Sequence, residues 1–457
     1  DEAHTVAPSG RGRYATDSLR TSALRELVPH FEHRLFLTAT PHNGYDESFT
    51  ALLELLDDQR FARAVTPSRE QLRQAMVRRL KSELPPRFDG TPRFPKRVLS
   101  LIEVEYSEEE RRAHADLRAY TELRLKGAKD HAETFATEFV LKLLKKRLFS
   151  SPAAFARTLA KHRESVERGR RRDERSARSI GILRAQADRV DEGYEDDEDY
   201  QEVEDEAQET AARVLRELSA EERVLLDRLS TWAERAAHRP DAKANALIDL
   251  IEETCRPDGD WNDERLIVFT EYRDTQRALL DLFAARKLTE EGRTLVLYGG
   301  MDTEQRQEIK AAFQANPSES SVRILLATDA ASEGINLQNH CHRLVHYEIP
   351  WNPNRLEQRN GRIDRHGQRA PEVLVYHFAP KGYDRLRDID DVPVGDLEGD
   401  LEFLRRAVVK VETIREMLGK VGPVIADQVT QAMLGRRARL DTASAEKEGE
   451  AVRRQLS

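Results

Sequence analysis

Cysteine is almost missing from this chain. Among 457 residues only Cys255 and Cys341 carry thiols, which excludes a disulfide framework and points to a reducing compartment. His340 and His342 flank the second thiol, but no further ligand pair stands at a zinc-site spacing, so packing explains that triplet better than a metal. Long apolar runs are also lacking. Charged residues make up 34% of the chain, mean hydropathy is -0.69, and no stretch approaches the roughly 18 consecutive apolar residues of a membrane helix. The first residues are polar and begin at Asp1 rather than Met, which reads as an internal start and not a secretion signal. The expectation is a cytoplasmic chain with no membrane partner, long enough for two or three domains.

An excess of positive charge, the usual footprint of a nucleic-acid binder, is absent as well: the net charge is -9. The deficit is local. Residues 191–209 (DEGYEDDEDYQEVEDEAQE) hold twelve acids and no base, and setting that -12 aside leaves +3 for the remainder. Such a run repels itself and is expected to form a disordered linker or a solvated loop.

From residue 243 onward, short β-branched runs alternate with amphipathic patterns. LIVFT (266–270), TLVLY (294–298), RILLAT (323–328), RLVHY (343–347) and VLVYHF (373–378) read as strands, with helices over RDTQRALLDLFAARKL and DTEQRQEIKAAF. Apolar strands separated by helices predict a parallel α/β sheet covered on both faces, with ligands at the carboxyl ends of its strands. Residues 107–237 lack strand alternation. Ser107 and Glu110 have capping-box spacing, and Phe135, Phe139, Val140, Leu143, Leu144 and Leu148 form one helical stripe. The basic stretch from Arg157 to Arg178 could touch a nucleic-acid backbone, although its interspersed acids suit a solvated helix better. RLFLTAT (34–40) reads as a strand, so the first hundred residues look like the tail of another α/β unit. The expected division is a lobe remnant at 1–106, a helical insertion at 107–237 with the acidic linker inside it, a second lobe at 238–380 and a helical extension at 381–457.

RNGRIDRHGQ (359–368) sets Arg362 and Arg365 one helical turn apart, with Arg359 just before. Guanidinium groups are planar forks that suit phosphate, but a solvated helix face would carry the same residues. Phosphoryl transfer with Mg²⁺ needs a carboxylate for the metal, a second for the attacking water, and cations for the charge that develops. Asp1 and Glu2 could supply the first two, and Arg362 and Arg365 the last.

The order DEAH (1–4), LTATPHNG (37–44), VRRLKSEL (77–84), LIVFTEY (266–272), LYGGM (297–301), ATDAASEGINLQ (327–338) and EIPWNPNRLEQRNGRIDRHGQ (348–368) resembles the superfamily 2 helicase-like ATPases. RRLKSEL, PWNP and DRHGQ make it similar to their SWI/SNF-type branch rather than to DEAD-box proteins. Among bacterial members it looks like the RapA-type RNA-polymerase-recycling ATPases and the SWI/SNF-like helicases of DISARM phage defence, the latter through residues 144–162 and 411–425. The resemblance covers most of residues 1–425 and implies two RecA-like parallel-sheet lobes, the first truncated.

It further implies ATP and Mg²⁺ as cofactors and double-stranded DNA as partner, with proteins of a defence or transcription complex beside them. Asp1 would hold nucleotide-bound Mg²⁺ through water, Glu2 would polarise the hydrolytic water, and His4 would link that site to Thr38 and Thr40. Gln358 would lie near the γ-phosphate, and Arg362 and Arg365 would act as arginine fingers. Gly334 and Asn336 fall where the family contacts nucleotide, Asn336 standing where DEAD-box members carry an acid. Thr270, Arg273, Gly300 and Thr328 fall where it grips a nucleic-acid backbone, although Thr270 and Thr328 could simply end strands and Gly300 could serve a turn.

No G-x-x-x-x-G-K-[ST] occurs anywhere, and the family places that phosphate loop upstream of DEAH. The resemblance therefore implies the C-terminal part of a longer protein, inactive as an ATPase on its own. Three readings stay open at this point: a DNA-translocating motor, a RapA-like ATPase that recycles transcription complexes, and a non-catalytic nucleic-acid-binding scaffold.

Overall fold

The architecture comes from a computed structural model, which describes residues 3–7, 19–38, 46–77, 81, 84–168, 176–192, 196–332, 335–382, 395–413 and 428–435. Its centre is one sheet made of β1 (Lys96–Val104), β2 (Leu266–Thr270), β3 (Thr294–Leu297), β4 (Ile324–Thr328), β5 (Arg343–His346) and β6 (Glu372–Pro380). The spatial order is β1-β6-β5-β2-β4-β3, and every pair is parallel. The apolar runs of β2 and β4 are buried along their whole length, as a sheet covered on both faces requires. Strand periodicity divides them: Leu266, Val268 and Leu326 enter one core, whereas Ile267, Phe269 and Leu325 enter the other.

β1 is an edge strand that the sequence did not reveal. It pairs with β6 from Lys96↔Glu372 to Val104↔Pro380, so residues ahead of the helical insertion complete the sheet built from residues behind it. Helices α1 (Leu19–Leu27), α2 (Asp46–Leu56) and α3 (Arg69–Ala75) precede β1. The strand expected at 34–40 is not formed by the described residues 34–38. Leu35 and Leu37 are 80% and 52% exposed; no ladder satisfies this segment's backbone, although Leu37 O accepts a bond from Ala3 N at 2.9 Å.

The insertion is helical throughout its described length: α4 (Glu108–Gly127), α5 (His131–Ser150), α6 (Pro152–Arg168), α7 (Ser176–Glu192), α8 (Asp197–Ala212) and α9 (Ala220–Ala236). The Ser107/Glu110 capping box opens α4 as expected. Phe139, Val140, Leu143 and Leu144 of α5 sit in a core shared with Tyr120, Phe155 and Leu229, with Phe135 and Leu148 packed at its margin. Helices α10 (Ala242–Cys255), α11 (Arg273–Ala285), α12 (Thr303–Gln314), α13 (Asp329–Ser332) and α14 (Pro353–Asn360) alternate with the strands, and α15 (Leu397–Thr413) follows β6.

The acidic run corrects the sequence expectation. From Asp197 onward it is helix α8, not a linker or solvated loop, and Asp197, Glu204, Ala207 and Ala211 are buried. Cations on neighbouring helices overcome the self-repulsion. Arg147 of α5 donates to Glu204 at 2.6 Å while its guanidinium lies 3.5 Å from the Tyr272 ring centre. On the α6 side, Arg157 pairs with Asp205 at 3.3 Å and Lys161 with Glu209 at 2.5 Å.

Two stability outcomes follow from these contacts. Arg147 and Glu204 are 5% and 2% exposed, so Glu204→Ala, which strands a buried guanidinium, is expected to cost roughly 3–5 kcal/mol in urea unfolding. The Arg147→Met/Glu204→Leu double variant should recover most of that loss, and an equal loss in both variants would show that volume rather than charge matters there. The second outcome concerns His377, stacked on His346 with centroids 4.8 Å apart. Neither ring nitrogen of His377 finds a hydrogen-bond partner among the described residues; burial, then Arg359 and other nearby cations, push its pKa from 6.5 down to about 3. The unfolded chain takes up this proton below pH 6.5 and the folded chain does not, so stability falls as pH drops from 6.5 towards 3. In His377→Phe that contribution disappears. Its stability relative to wild type should rise by about 1.4 kcal/mol per pH unit below 6.5, and parallel urea-midpoint curves against pH would contradict this.

Candidate nucleotide and nucleic-acid site

Parallel strands all end on one side of the sheet, and the polar residues that follow them gather there. Thr270 closes β2, Tyr298 to Gly300 follow β3, Thr328 closes β4, and Tyr347 and Glu348 follow β5. Residues 361–368 form a turn after α14, tied by Leu337 N to Arg362 O at 3.1 Å and, ahead of β5, by Gln368 Nε2 to Cys341 O at 2.9 Å.

The three arginines of this stretch have different tasks. Arg359 is 1% exposed and forks onto Asp329, with Nε to Oδ1 at 2.5 Å and Nη2 to Oδ2 at 2.8 Å. Burial alone would disfavour its charge, but Asp329, Glu348 and Glu271 outweigh that and raise its pKa. Arg359 is thus a brace between α14 and the end of β4. Arg362 and Arg365 both donate to Ile335 O, at 3.4 and 3.3 Å, and Arg365 also donates to the Asn336 side chain. Two guanidinium groups therefore meet at one carbonyl beside Asn336, a donor set whose charge and geometry fit polyphosphate. Gln358 is half-buried on α14.

A second brace comes from the segment before and within β1. Arg97 forks onto Glu357 at 2.6 and 3.2 Å and reaches Asp364 at 2.6 Å. Lys81 pairs with Asp364 at 3.1 Å and donates to its carbonyl at 2.6 Å. Burial would raise the Asp364 pKa, yet Lys81 and Arg97 together hold it below the usual carboxylate value. Lys81 lies in the RRLKSEL motif, so its presence was visible in the sequence but its partner was not. Arg97 carried no signal beyond its charge.

Behind β2 lies a pair of buried carboxylates with opposite shifts. Glu348 accepts from Thr270 Oγ1 at 3.0 Å and from Glu271 N, and burial, reinforced by Glu271, raises its pKa. Burial would also raise Glu271, but Lys146, Arg355, Arg359 and Arg147 outweigh it and hold the pKa at about 2. The Thr270 hydroxyl is thus engaged inside the lobe. Thr275 on α11 joins the same region through Ser150 and Ser151 of the insertion, at 2.6 and 2.7 Å.

Beyond β3 and β4 is a second notch. Gly299 N and Thr328 Oγ1 point to one place, and each donates to Asp197 Oδ2 at 2.7 Å. Gly300 has φ +78°, the left-handed region, and a β-carbon there would overlap the Asp196 carboxylate. Arg273 stacks over Tyr298 with 3.5 Å between guanidinium and ring centre, and it is electrostatically coupled to Asp197 and Glu198. Arg273, Gly300 and Thr328 therefore come together, and they do so against an acidic helix whose position was not legible in the sequence.

Asp1, Glu2, Thr40 and Gly334 lie outside the described residues, as does the side chain of His4. Thr38 is half-buried, and the Ala3–Leu37 bond joins its neighbour to the DEAH segment. Among the described residues no group of three His, Cys, Asp or Glu side chains could hold a metal ion, and no helix is long and apolar enough to cross a membrane.

Part of the chain is similar to known proteins. Residues 242–367 match the helicase conserved C-terminal domain. The uncharacterized ATP-dependent helicase YqhH of Bacillus subtilis (strain 168) is 35% identical over 159 residues, covering 35% of this chain and 24% of that protein. The RNA polymerase-associated protein RapA of Vibrio atlanticus (strain LGP32) is 33% identical over 128 residues, covering 28% of this chain and 12% of that protein. The crystal structure of the C-terminal part of the Fun30 ATPase domain aligns with 70% of this chain and 98% of its own, at 13% identity and a TM-score of 0.37. The chain thus spans 24% or less of the length of these two curated relatives. Residues 242–367 thus carry a helicase conserved C-terminal domain, and this part of the chain is similar to superfamily 2 helicase-like proteins of the SWI/SNF type.

Proposed function

We propose that this chain forms part of an ATP-driven motor that moves along double-stranded DNA and remodels protein–DNA complexes. The observation that carries this reading is the meeting of Arg362 and Arg365 at Ile335 O beside Asn336. A scaffold would have no use for two permanent cations aimed at one neutral carbonyl. ATP with Mg²⁺ would supply the phosphoryl group and the free energy of the cycle. Arg362 and Arg365 would bind the terminal phosphates, Gln358 would sit near the γ-phosphate, and Gly334 and Asn336 would contact the nucleotide. Asp1 and Glu2 would serve the metal and the attacking water, with His4, Thr38 and Thr40 relaying the state of that site. Arg273, Gly300 and Thr328 would hold the DNA backbone, and Thr270 would position Glu348 behind them.

The biological setting has two readings. Residues 144–162 and 411–425 favour phage defence of the DISARM type, whereas the likeness to a protein named RNA polymerase-associated favours a role at transcription complexes. Co-purification with RNA polymerase would select the second.

Arg365→Ala in the ATP-hydrolysing protein is expected to lower kcat about 10³-fold or more. Affinity for double-stranded DNA without nucleotide should stay nearly unchanged, because Arg365 is assigned to the phosphates of ATP. Steady-state ATPase assays and DNA-binding titrations read the two quantities separately. Equal loss of both would overturn the finger assignment and favour a binding scaffold.

A further inference from the structure

Helix α8 is held unequally at its two ends. Its second half is fastened by the buried Glu204–Arg147 pair at 2.6 Å and by Asp205 and Glu209 on Arg157 and Lys161. At its start, Asp197 is buried, yet its carboxylate is bonded by neutral donors, the Gly299 N–H and the Thr328 hydroxyl. Acids at a helix N-terminus are common because they suit the helix dipole, and Asp196 plays that part, accepting from Glu198 N at 2.7 Å. Asp197 does something else: it points out of its own helix into the second lobe. Burial raises its pKa, and the bonds from Thr328 and Gly299 with the charge of Arg273 only partly offset that. A carboxylate taken from water without a bonded cation is a weak anchor.

Backbone N–H and hydroxyl groups converging on one oxygen, with a guanidinium nearby, make an oxyanion site. We propose that this notch is a phosphodiester site, and that Asp197, with Asp196 against Gly300, occupies it in place of a nucleic-acid phosphate, so that α8 acts as a built-in competitor of DNA. The proposal rests on the nucleic-acid role assigned above to Arg273, Gly300 and Thr328. DNA enters when the front of α8 lifts about its Glu204 anchor.

The test is fluorescence-anisotropy titration of a short blunt double-stranded DNA with the full chain and its variants. Asp196→Asn/Asp197→Asn keeps both the helix cap and the hydrogen-bond acceptor while removing charge, so folding should persist. It is expected to bind about tenfold more tightly, with a steeper dependence on salt. Asp199→Asn/Glu202→Gln changes net charge equally on the exposed face of the same helix and should have little effect. Adding Arg273→Ala to the first pair should cancel the gain. Equal gains from both pairs would reduce the effect to bulk charge and overturn the proposal. No gain from the first pair, with weaker binding in Arg273→Ala alone, would overturn the plug but keep the DNA face. Absence of DNA binding in every variant would overturn both.

Discussion

The fork of Arg359 onto Asp329 is the contact on which the candidate site depends. A guanidinium that is 1% exposed must be matched by carboxylates or be expelled. Matching it fixes two backbone segments at once. Asp329 follows Thr328, which lines the Gly299 notch, and Arg359 lies three residues before Arg362, which faces Ile335. The notch and the arginine turn are thus held at a set separation by one buried ion pair. Lys81 and Arg97 close the turn from the opposite side through Asp364 and Glu357. Within this frame Arg365 differs in kind, since its described partners are the neutral Ile335 carbonyl and Asn336 side chain. A guanidinium on neutral acceptors is redirected to an arriving anion more easily than one on a carboxylate.

Charge in this molecule is organised by helix rather than by total. The net -9 hides a sheet whose polar edge presents arginines, and an insertion whose α8 carries eight acids and no lysine or arginine. Where α8 meets Arg147 the pair is deeply buried and specific. Where it meets Arg157 and Lys161 the partners are partly exposed, and such pairs contribute little each. Overall charge therefore predicted neither the fold of the acidic run nor the face it covers.

Strands β2 to β6 were legible because buried parallel strands appear as continuous apolar runs, and α11 and α12 because their apolar positions recur at helical spacing. β1 was not, since KRVLSLIEV is a half-covered edge strand whose partner, β6, lies far along the chain. The run at 34–38 has strand composition, but among the described residues its backbone meets only Ala3 and no ladder forms. At the site, the residue types were readable and their division of labour was not. Nothing in RNGRIDRHGQ distinguishes Arg359 from Arg362 and Arg365; the distinction comes from Asp329, thirty residues upstream. Asp197 was hidden behind local composition, because self-repulsion can be judged along a sequence while the donors that offset it cannot.

These contacts also decide which part of the structure can yield. Arg359, Asp329, Arg355, Glu271 and Glu348 form a network in which Arg359, Glu271 and Glu348 are buried and Asp329 and Arg355 reach partly to solvent, and opening it would leave uncompensated charges away from water. The junction of α14 with the end of β4 is therefore stiff. The front of α8 is held by apolar packing of Tyr200 on the insertion core and by a carboxylate bonded to a backbone amide and a hydroxyl that a phosphate can use equally well. Binding of a polyanion to this face would then displace the helix rather than deform the lobe, because the free energy needed is smaller where the bonds can be exchanged one for one.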